Sequence, residues 1–395
     1  MIYERPKYKN QYENFIGGEW IAPSSGEYIE NISPVDGKLL TKIPRSNEKD
    51  VDLAVEAAKK GFEEFKHTSV TQRSALLNKI ADIVEANLET LAVAETLDNG
   101  KAVRETLNAD LPLFIDHFRY FASVIRAESG TISDLDENTI SQEIYEPYGV
   151  VAQIIPWNFP LLMAAWKLAP AIAAGNCVVL KPASSTPLSI LLFLDLIKDV
   201  LPKGVINVVN GAGGKIGKHL VTHRDVKKVA FTGETSTGQE IMRYATENII
   251  PSTLELGGKS PNVFFKSIMD ADDEFFDKAI EGLVLFAFNS GEVCTCPSRA
   301  LIEESIYEPF MKRVIERVKA IKLGNPLDTE NTMGAQNSFN QKEKIAKYLK
   351  IAKEDGAECL VGGDIYHSSV NPDGFYIEPT IYKGHNKMRI FQEEI

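Results

Sequence analysis

Two segments of the chain carry residue types that could perform covalent chemistry on a carbonyl group. One runs from Phe288 to Arg299 and contains Cys294, and the other runs from Leu254 to Pro261 and contains Glu255. A thiolate is a strong nucleophile, and a partly buried carboxylate can act as a general base near neutral pH. Glycine in each segment lets the backbone come close to a substrate. Together the segments predict a nucleophilic thiol with a carboxylate base, and the apolar neighbours of Glu255 predict its partial burial.

The elements that must position these residues alternate between strands and helices. Apolar runs predict strands over Val150–Ile155, Cys177–Leu180, Val205–Val209 and Val226–Phe231, each followed by a helix. This alternation is typical of a parallel sheet covered on both faces, in which ligands bind at the carboxyl ends of the strands. After Pro261 a second alternation begins, with a helix expected near Ala279 to Phe288, which predicts a second α/β domain.

These segments resemble those of the aldehyde dehydrogenase superfamily from about Phe15 to the last residue. The Gly291–Arg299 stretch is similar to a subgroup that includes enzymes for acetaldehyde and other short aliphatic aldehydes. The resemblance implies oxidation of an aldehyde to a carboxylic acid, with hydride transfer to NAD(P)+ through a thiohemiacetal and a thioester on a cysteine. A coenzyme-A-acylating enzyme is a further alternative, but its members generally depart from the segment that holds Glu255.

The resemblance also implies roles for four catalytic residues. Cys294 is expected to be the nucleophile and Glu255 to activate water for hydrolysis of the thioester. Asn158 and the backbone N–H of Cys294 are expected to hold the oxyanion, although an asparagine here could also simply shape the turn before a proline. Lys167 matches a family lysine proposed to relay protons to the glutamate, and a helix-surface lysine is a nearly equal alternative. No cluster of residues has metal-ligand spacing, so no metal is expected.

Three motifs at strand ends and one glycine-rich turn are expected to bind NAD or NADP. The turn from Gly211 to Gly217 follows a strand and opens a helix, so its amides could face a pyrophosphate. An ordinary strand-to-helix connection that binds no ligand is an equal alternative. By the resemblance, Lys181 reaches the adenosine ribose, Trp157 lies along the cofactor, and Glu394 holds the nicotinamide ribose. The expected cofactor-binding set is Ile154, Pro156, Trp157, Lys181, Ser184, Gly213, Gly217, Phe231, Gly233, Glu234, Leu256 and Glu394.

Ser184 departs from the commonest pattern of the resembled family. Many NAD-specific relatives carry a glutamate at this position, which accepts hydrogen bonds from the ribose hydroxyls. A carboxylate would repel a 2′-phosphate, whereas serine would not and Lys181 would attract it. We therefore expect the chain to accept NADP as well as NAD.

The resemblance implies a Rossmann-like parallel-sheet cofactor domain (1–127 and 148–257), a β-hairpin oligomerisation arm (128–147) and an α/β catalytic domain (258–395). Relatives continue beyond the final FQEEI, so we expect the catalytic domain to be incomplete at its C-terminal end. The alternative function is therefore a catalytically impaired fragment that keeps dinucleotide binding. A full-length chain is expected to form a homodimer or homotetramer.

Composition narrows the remaining classes of partner and compartment. Lys and Arg total 43 against 55 Asp and Glu, a formal net charge of −12, which disfavours nucleic acid and anionic membranes as partners. Four cysteines are too few and scattered for a disulfide framework, which favours a cytoplasmic protein. Cys177 and Cys359 are expected in the core, and Cys296 as a neighbour that could trap an oxidised Cys294.

Overall fold

The computed structural model describes residues 1–395 and contains fifteen strands and thirteen α-helices. The strands are β1 (Asn14–Ile16), β2 (Glu19–Ile21), β3 (Tyr28–Ile32), β4 (Leu39–Pro44), β5 (Ile132–Asp136), β6 (Thr139–Gln142), β7 (Val150–Ile154), β8 (Cys177–Lys181), β9 (Ile206–Val208), β10 (Val226–Thr232), β11 (Ser252–Glu255), β12 (Pro261–Phe264), β13 (Arg299–Ile302), β14 (Glu358–Val361) and β15 (Ile381–Lys383). The helices are α1 (Glu48–Phe65), α2 (Val70–Ala86), α3 (Leu88–Asn99), α4 (Val103–Glu105), α5 (Leu111–Val124), α6 (Pro160–Ala173), α7 (Leu188–Ile197), α8 (Gly213–Thr222), α9 (Thr235–Ala245), α10 (Glu274–Val284), α11 (Tyr307–Lys319), α12 (Phe339–Glu354) and α13 (Arg389–Gln392).

A seven-stranded sheet forms the centre of the larger core. Its order is β11-β10-β7-β8-β9-β1-β2, and the first five strands run parallel. Every residue of β7 and β8 is buried, because helices cover both faces of the sheet. The predicted α/β architecture with a Rossmann-like parallel sheet is confirmed.

Local sequence signals explain where the surrounding helices begin and end. Asn47 caps α1 with a capping box, while the preceding Ser46 accepts a buried hydrogen bond from Asn14. Gly100 ends α3 at φ 97°, a left-handed conformation that favours glycine. The connection between α3 and α5 passes through α4 and a π-helical turn, Thr106–Asp110.

A second, smaller core lies beyond β11. β12 and β13 pair in parallel, and aromatic and aliphatic side chains of α10 and α11, among them Phe276 and Phe310, pack beside them. Between α5 and β7, β5 and β6 form an antiparallel hairpin whose residues are all exposed.

Two expectations from the sequence are wrong. The helix expected near Ala279 to Phe288 begins earlier, at Glu274, because the Asp273 carboxylate accepts the N–H groups of Phe275 and Phe276. It ends at Val284, and tighter 3-10 turns follow over Leu285–Gly291. Cys359 is exposed, since β14 pairs only with β15 in a small two-stranded sheet, whereas Cys177 is buried as expected.

None of the helices is both long enough and apolar enough to cross a membrane.

Candidate active site

The parallel register of the large sheet brings the predicted strand-end motifs to one edge. Ile154 at the end of β7 pairs with Lys181 on β8 and with Phe231 on β10. Thr232, the last residue of β10, pairs with Glu255, the last residue of β11. The candidate base and several predicted cofactor residues therefore share the carboxyl edge of the sheet.

The candidate nucleophile stands on a sharply bent turn. Asn289, Ser290 and Gly291 have φ values of 50°, 57° and 84°, so three consecutive residues adopt a left-handed conformation. Such backbone persists in non-glycine residues only when surrounding contacts hold it. The buried Glu105 carboxylate supplies one contact by accepting the Asn289 N–H at 3.1 Å. The turn leaves Cys294 exposed.

Opposing effects set the reactivity of Cys294. Partial burial raises the pKa of its thiol, the backbone N–H groups of Cys294 and Thr295 lower that pKa, and the nearby carboxylates of Glu255 and Glu394 raise it. The structure thus brings the thiol into the electrostatic range of both carboxylates that the sequence singled out. Cys296 lies next to it, and burial raises the pKa of the Cys296 thiol to about 11.

Asn158 lies against the nucleophile turn. Its Nδ2 donates to the Glu292 carbonyl at 2.9 Å, and the Asn289 amide donates to the carbonyls of both Asn158 and Glu292 at 3.1 Å. One N–H of the Asn158 amide remains for another acceptor. The Cys294 N–H donates to no backbone carbonyl, so this N–H and the second N–H of Asn158 are both available at the nucleophile turn.

Lys167 is buried, not on the helix surface. Its Nζ donates to Thr232 Oγ1 at 2.6 Å. Burial lowers the pKa of Lys167 to about 8, and the nearby Glu255 charge opposes that shift. Glu255 itself is exposed, contrary to the partial burial expected, because β11 is an edge strand and its carboxyl end faces an open cavity of about 970 Å³.

The cofactor side is built around a second buried lysine. Lys181 is 6% exposed, and its Nζ bonds only to the Pro182 carbonyl, at 3.0 Å. Burial lowers the pKa of Lys181 to about 8. A Cβ built on Gly213 would stand 3.7 Å from this Nζ, so the glycine keeps the space beside it open.

The neighbouring helix starts fit a dinucleotide. No side chain caps α8 at Ala212 or α9 at Glu234, which leaves their first N–H groups free for an anion. Ser184 donates to the Gly211 carbonyl at 2.8 Å and so places no negative charge beside Lys181. The lysine, the open glycine turn and the free amides fit NAD or NADP.

The other predicted cofactor residues differ in their exposure to solvent. Ile154, Phe231 and Gly217 are buried, whereas Glu234 is exposed and Gly233 partly so. Trp157 is held by its carbonyl, which accepts the Asn99 amide at 2.9 Å, and Pro156 beside it is half-buried. The side chain of Leu256 packs against Gly238, and the Glu394 carboxyl packs against Gly257, where a Cβ would collide with it.

Several supporting residues were missed from the sequence. Asn289 and Glu105 hold the nucleophile turn, and Thr232 holds Lys167. Thr232 directly follows Phe231 at a strand end, which was a usable signal. Glu105 lies far away in sequence, and nothing in its local pattern indicates its contact.

Comparisons with known proteins agree with this geometry. The model of the aldehyde dehydrogenase family matches residues 20–395. The chain is 63% identical to "Long-chain-aldehyde dehydrogenase" of Acinetobacter sp., over 98% of this chain and 77% of that protein. It is 61% identical to "Aldehyde dehydrogenase B" of Escherichia coli K12, over 98% of this chain and 76% of that protein.

A solved structure of an aldehyde dehydrogenase from Bacillus cereus, in complex with NAD+, superimposes with a TM-score of 0.94 at 35% identity, over 100% of this chain and 80% of that one. The family match spans nearly the whole chain, and the fold agrees with it, as do the residues at the carboxyl edge of the large sheet. The chain therefore belongs to the aldehyde dehydrogenase family, as an NAD(P)-dependent enzyme that oxidises aldehydes to acids.

Proposed function

We propose that the chain oxidises short aliphatic aldehydes through a covalent thioester on Cys294. The observation that carries this proposal is the convergence on one exposed thiol of two carboxylates, Glu255 and Glu394, and the free amide donors of Asn158 and Cys294. Those are the groups that acyl transfer with hydrolysis requires. Short substrates are inferred from the Gly291–Arg299 motif.

In the first half of the reaction, the Cys294 thiolate attacks the carbonyl carbon and forms a thiohemiacetal. The free N–H of Asn158 and the backbone N–H of Cys294 stabilise the oxyanion, and losing one such donor typically costs about 3 kcal/mol in the barrier. When bound, NAD(P)+ supplies the hydride acceptor that turns this adduct into a thioester. Lys181 and the helix amides at Gly213 would hold the cofactor, and Glu394 would bind the nicotinamide ribose.

In the second half, Glu255 takes a proton from water as the water oxygen attacks the thioester carbon. The C–S bond then breaks, which releases the acid and restores the Cys294 thiolate. Lys167, bonded to Thr232 beside Glu255, is placed to accept the proton from Glu255 when its amine is neutral. Burial favours that neutral form.

The domain division is part of the proposal. Residues 1–127 and 148–257 carry the large sheet and would bind the dinucleotide, and residues 258–395 carry both Cys294 and the smaller core. The β5–β6 hairpin within 128–147 exposes all its strand residues, which suits pairing with another subunit in a homodimer or homotetramer. The cytoplasm is the proposed location.

The test is NAD(P)H production by the purified chain with acetaldehyde and each cofactor, beside its Cys294→Ser variant. Turnover that disappears in Cys294→Ser supports the proposal, and turnover that persists rejects the nucleophile. The second candidate function is dinucleotide binding without turnover, which the buried Lys181 at the carboxyl edge of the large sheet supports. Quenching of intrinsic fluorescence by NAD without product would identify it.

A further inference from the structure

Glu292 lies two residues before the nucleophile and links three parts of the active site. Its side chain is buried, and Oε1 accepts the backbone N–H of Asn337 at 2.9 Å. Its backbone carbonyl accepts the amides of Asn158 and Asn289. One residue thus joins the turn of Cys294, the oxyanion amide and a distant segment of the chain.

The segment that Glu292 contacts is itself firmly attached. The Ala335 N–H donates to the Gly100 carbonyl at 2.9 Å, and Gln336 Nε2 donates to the Ser290 carbonyl at 3.0 Å. The Asn337 amide donates to Ser185 Oγ, next to Ser184 on the cofactor side, at 3.3 Å. Residues 335–337 therefore provide a fixed support between the large sheet and the nucleophile turn.

No cation pairs with the Glu292 carboxyl. Lys101 is the one charge that shifts its pKa, and the Lys101 Nζ is already bonded to Asp110 at 2.6 Å; Glu292 Oε2 has no hydrogen-bond partner in the protein. Burying an unpaired carboxylate is costly, so such a group holds its proton instead. Burial accordingly raises the pKa of Glu292 well above its ordinary range.

The other titratable groups around the turn do not supply a compensating charge. Glu105 accepts the Asn289 N–H, and burial raises the pKa of Glu105 to about 8. Burial also raises the pKa of Cys294 and Cys296. The environment of Glu292 thus favours an uncharged acid, which has the size and hydrogen-bonding shape of a glutamine side chain.

We propose that Glu292 is a positioning residue for Cys294: its carboxyl fastens the nucleophile turn to the Asn337 backbone, and its carbonyl fixes Asn158. This inference rests on the proposed function of Cys294. Loss of the carboxyl frees the turn, so the N–H groups of Cys294 and Thr295 no longer face the sulfur and the oxyanion donors separate.

The experiment compares Glu292→Ala, Glu292→Leu and Glu292→Gln with the matched surface control Glu308→Gln, which alters an exposed glutamate on α11. Two quantities are measured across pH: kcat with acetaldehyde, and the rate of Cys294 alkylation by iodoacetamide, followed by peptide mass spectrometry. We expect Glu292→Ala and Glu292→Leu to lower kcat about tenfold or more with little change in the KM for NAD, and to slow alkylation about fivefold near neutral pH.

Glu292→Gln is expected to keep both rates within about threefold of the parent chain, because the glutamine oxygen can still accept the Asn337 N–H. Leucine keeps the site filled, so it still tests the idea if the alanine variant unfolds. Parent-like kcat and alkylation in the leucine variant would overturn the inference, as would a glutamine variant as impaired as leucine.

The two proposals fail in different ways. Turnover that persists in Cys294→Ser rejects the proposed function. If no chain turns over but the alkylation rates follow the predicted order, the positioning role of Glu292 stands without it.

Discussion

Lys167 Nζ donates to the Thr232 hydroxyl at 2.6 Å, and Thr232 on β10 is the register partner of Glu255 on the neighbouring strand β11. The Lys167 ammonium is thus held at the carboxyl edge of β10 and β11, close enough to Glu255 for the carboxylate charge to act on it. This arrangement suits a group that removes the proton from Glu255 between turnovers.

The first prediction is that the rate of thioester hydrolysis rises with pH in a step that depends on Lys167. Burial lowers the lysine pKa to about 8, so raising the pH through that value converts the ammonium to an amine that can accept a proton. The rate of thioester hydrolysis should therefore increase with pH about this value. In Lys167→Met the step should be absent and the rate about tenfold lower at high pH. A parent-like profile in Lys167→Met, measured by single-turnover acid release, would exclude the lysine.

The second prediction concerns Glu255. Glu255→Gln keeps the size of the side chain but cannot take a proton from water, so acylation of Cys294 should continue while hydrolysis slows about a hundredfold or more. The acyl-enzyme should then accumulate and appear in the intact mass after mixing with acetaldehyde and NAD. The matched control is Glu247→Gln, an exposed glutamate beyond α9. Unchanged steady-state kinetics in Glu255→Gln would remove this residue from the mechanism.

These site residues differ in how well the sequence could predict them. Strand ends share an edge in any parallel sheet, so the alternation placed Lys181 at that edge, whereas the roles of Asn158 and Glu255 came from the family resemblance of their motifs. Side-chain partners depend on packing between distant segments, and so Glu105 beneath Asn289 and Asn337 beside Glu292 had no local signal.

Burial was the least predictable property. Apolar neighbours suggested that Glu255 and Cys359 are shielded, but β11 is an edge strand and β14 belongs to a two-stranded sheet. Conversely, a surface position was a nearly equal alternative for Lys167, because its helix neighbours do not reveal that its side chain turns toward Thr232. The burial of such a side chain depends on which elements pack beside it, and sequence periodicity does not give that information.

The third prediction tests cofactor selection at Ser184. Its hydroxyl bonds to the Gly211 carbonyl and leaves no negative charge near Lys181, so kcat/KM for NADP should be within about a hundredfold of that for NAD. Ser184→Glu should lower the value for NADP by a further tenfold to about a hundredfold, because the carboxylate repels the 2′-phosphate. Ser184→Ala removes the same hydrogen bond without adding charge and should leave the NADP to NAD ratio unchanged. A value for NADP thousands-fold below NAD in the parent chain would contradict the idea.

The fourth prediction concerns the buried ion pair beneath the oxyanion residue. Lys101 and Asp110 are 0% and 1% exposed, and Lys101 Nζ also lies 4.0 Å from the ring centroid of Phe159, the neighbour of Asn158. Lys101→Met leaves the Asp110 carboxylate buried without a cation, which should reduce the free energy of unfolding by about 3–5 kcal/mol near neutral pH.

The loss in Lys101→Met should also depend on pH. Burial raises the pKa of Asp110, and Lys101 opposes that rise, so removing the lysine strengthens it. A carboxyl whose folded pKa is raised stabilises the protein fully below its unfolded pKa, and that stability is lost as the pH rises through the folded value. Urea unfolding should therefore show a stability for Lys101→Met that falls more steeply from acidic to neutral pH than in the parent chain. Lys101→Met combined with Asp110→Asn should remove this extra slope, and an equal slope in the single and double variants would show that Asp110 does not depend on Lys101.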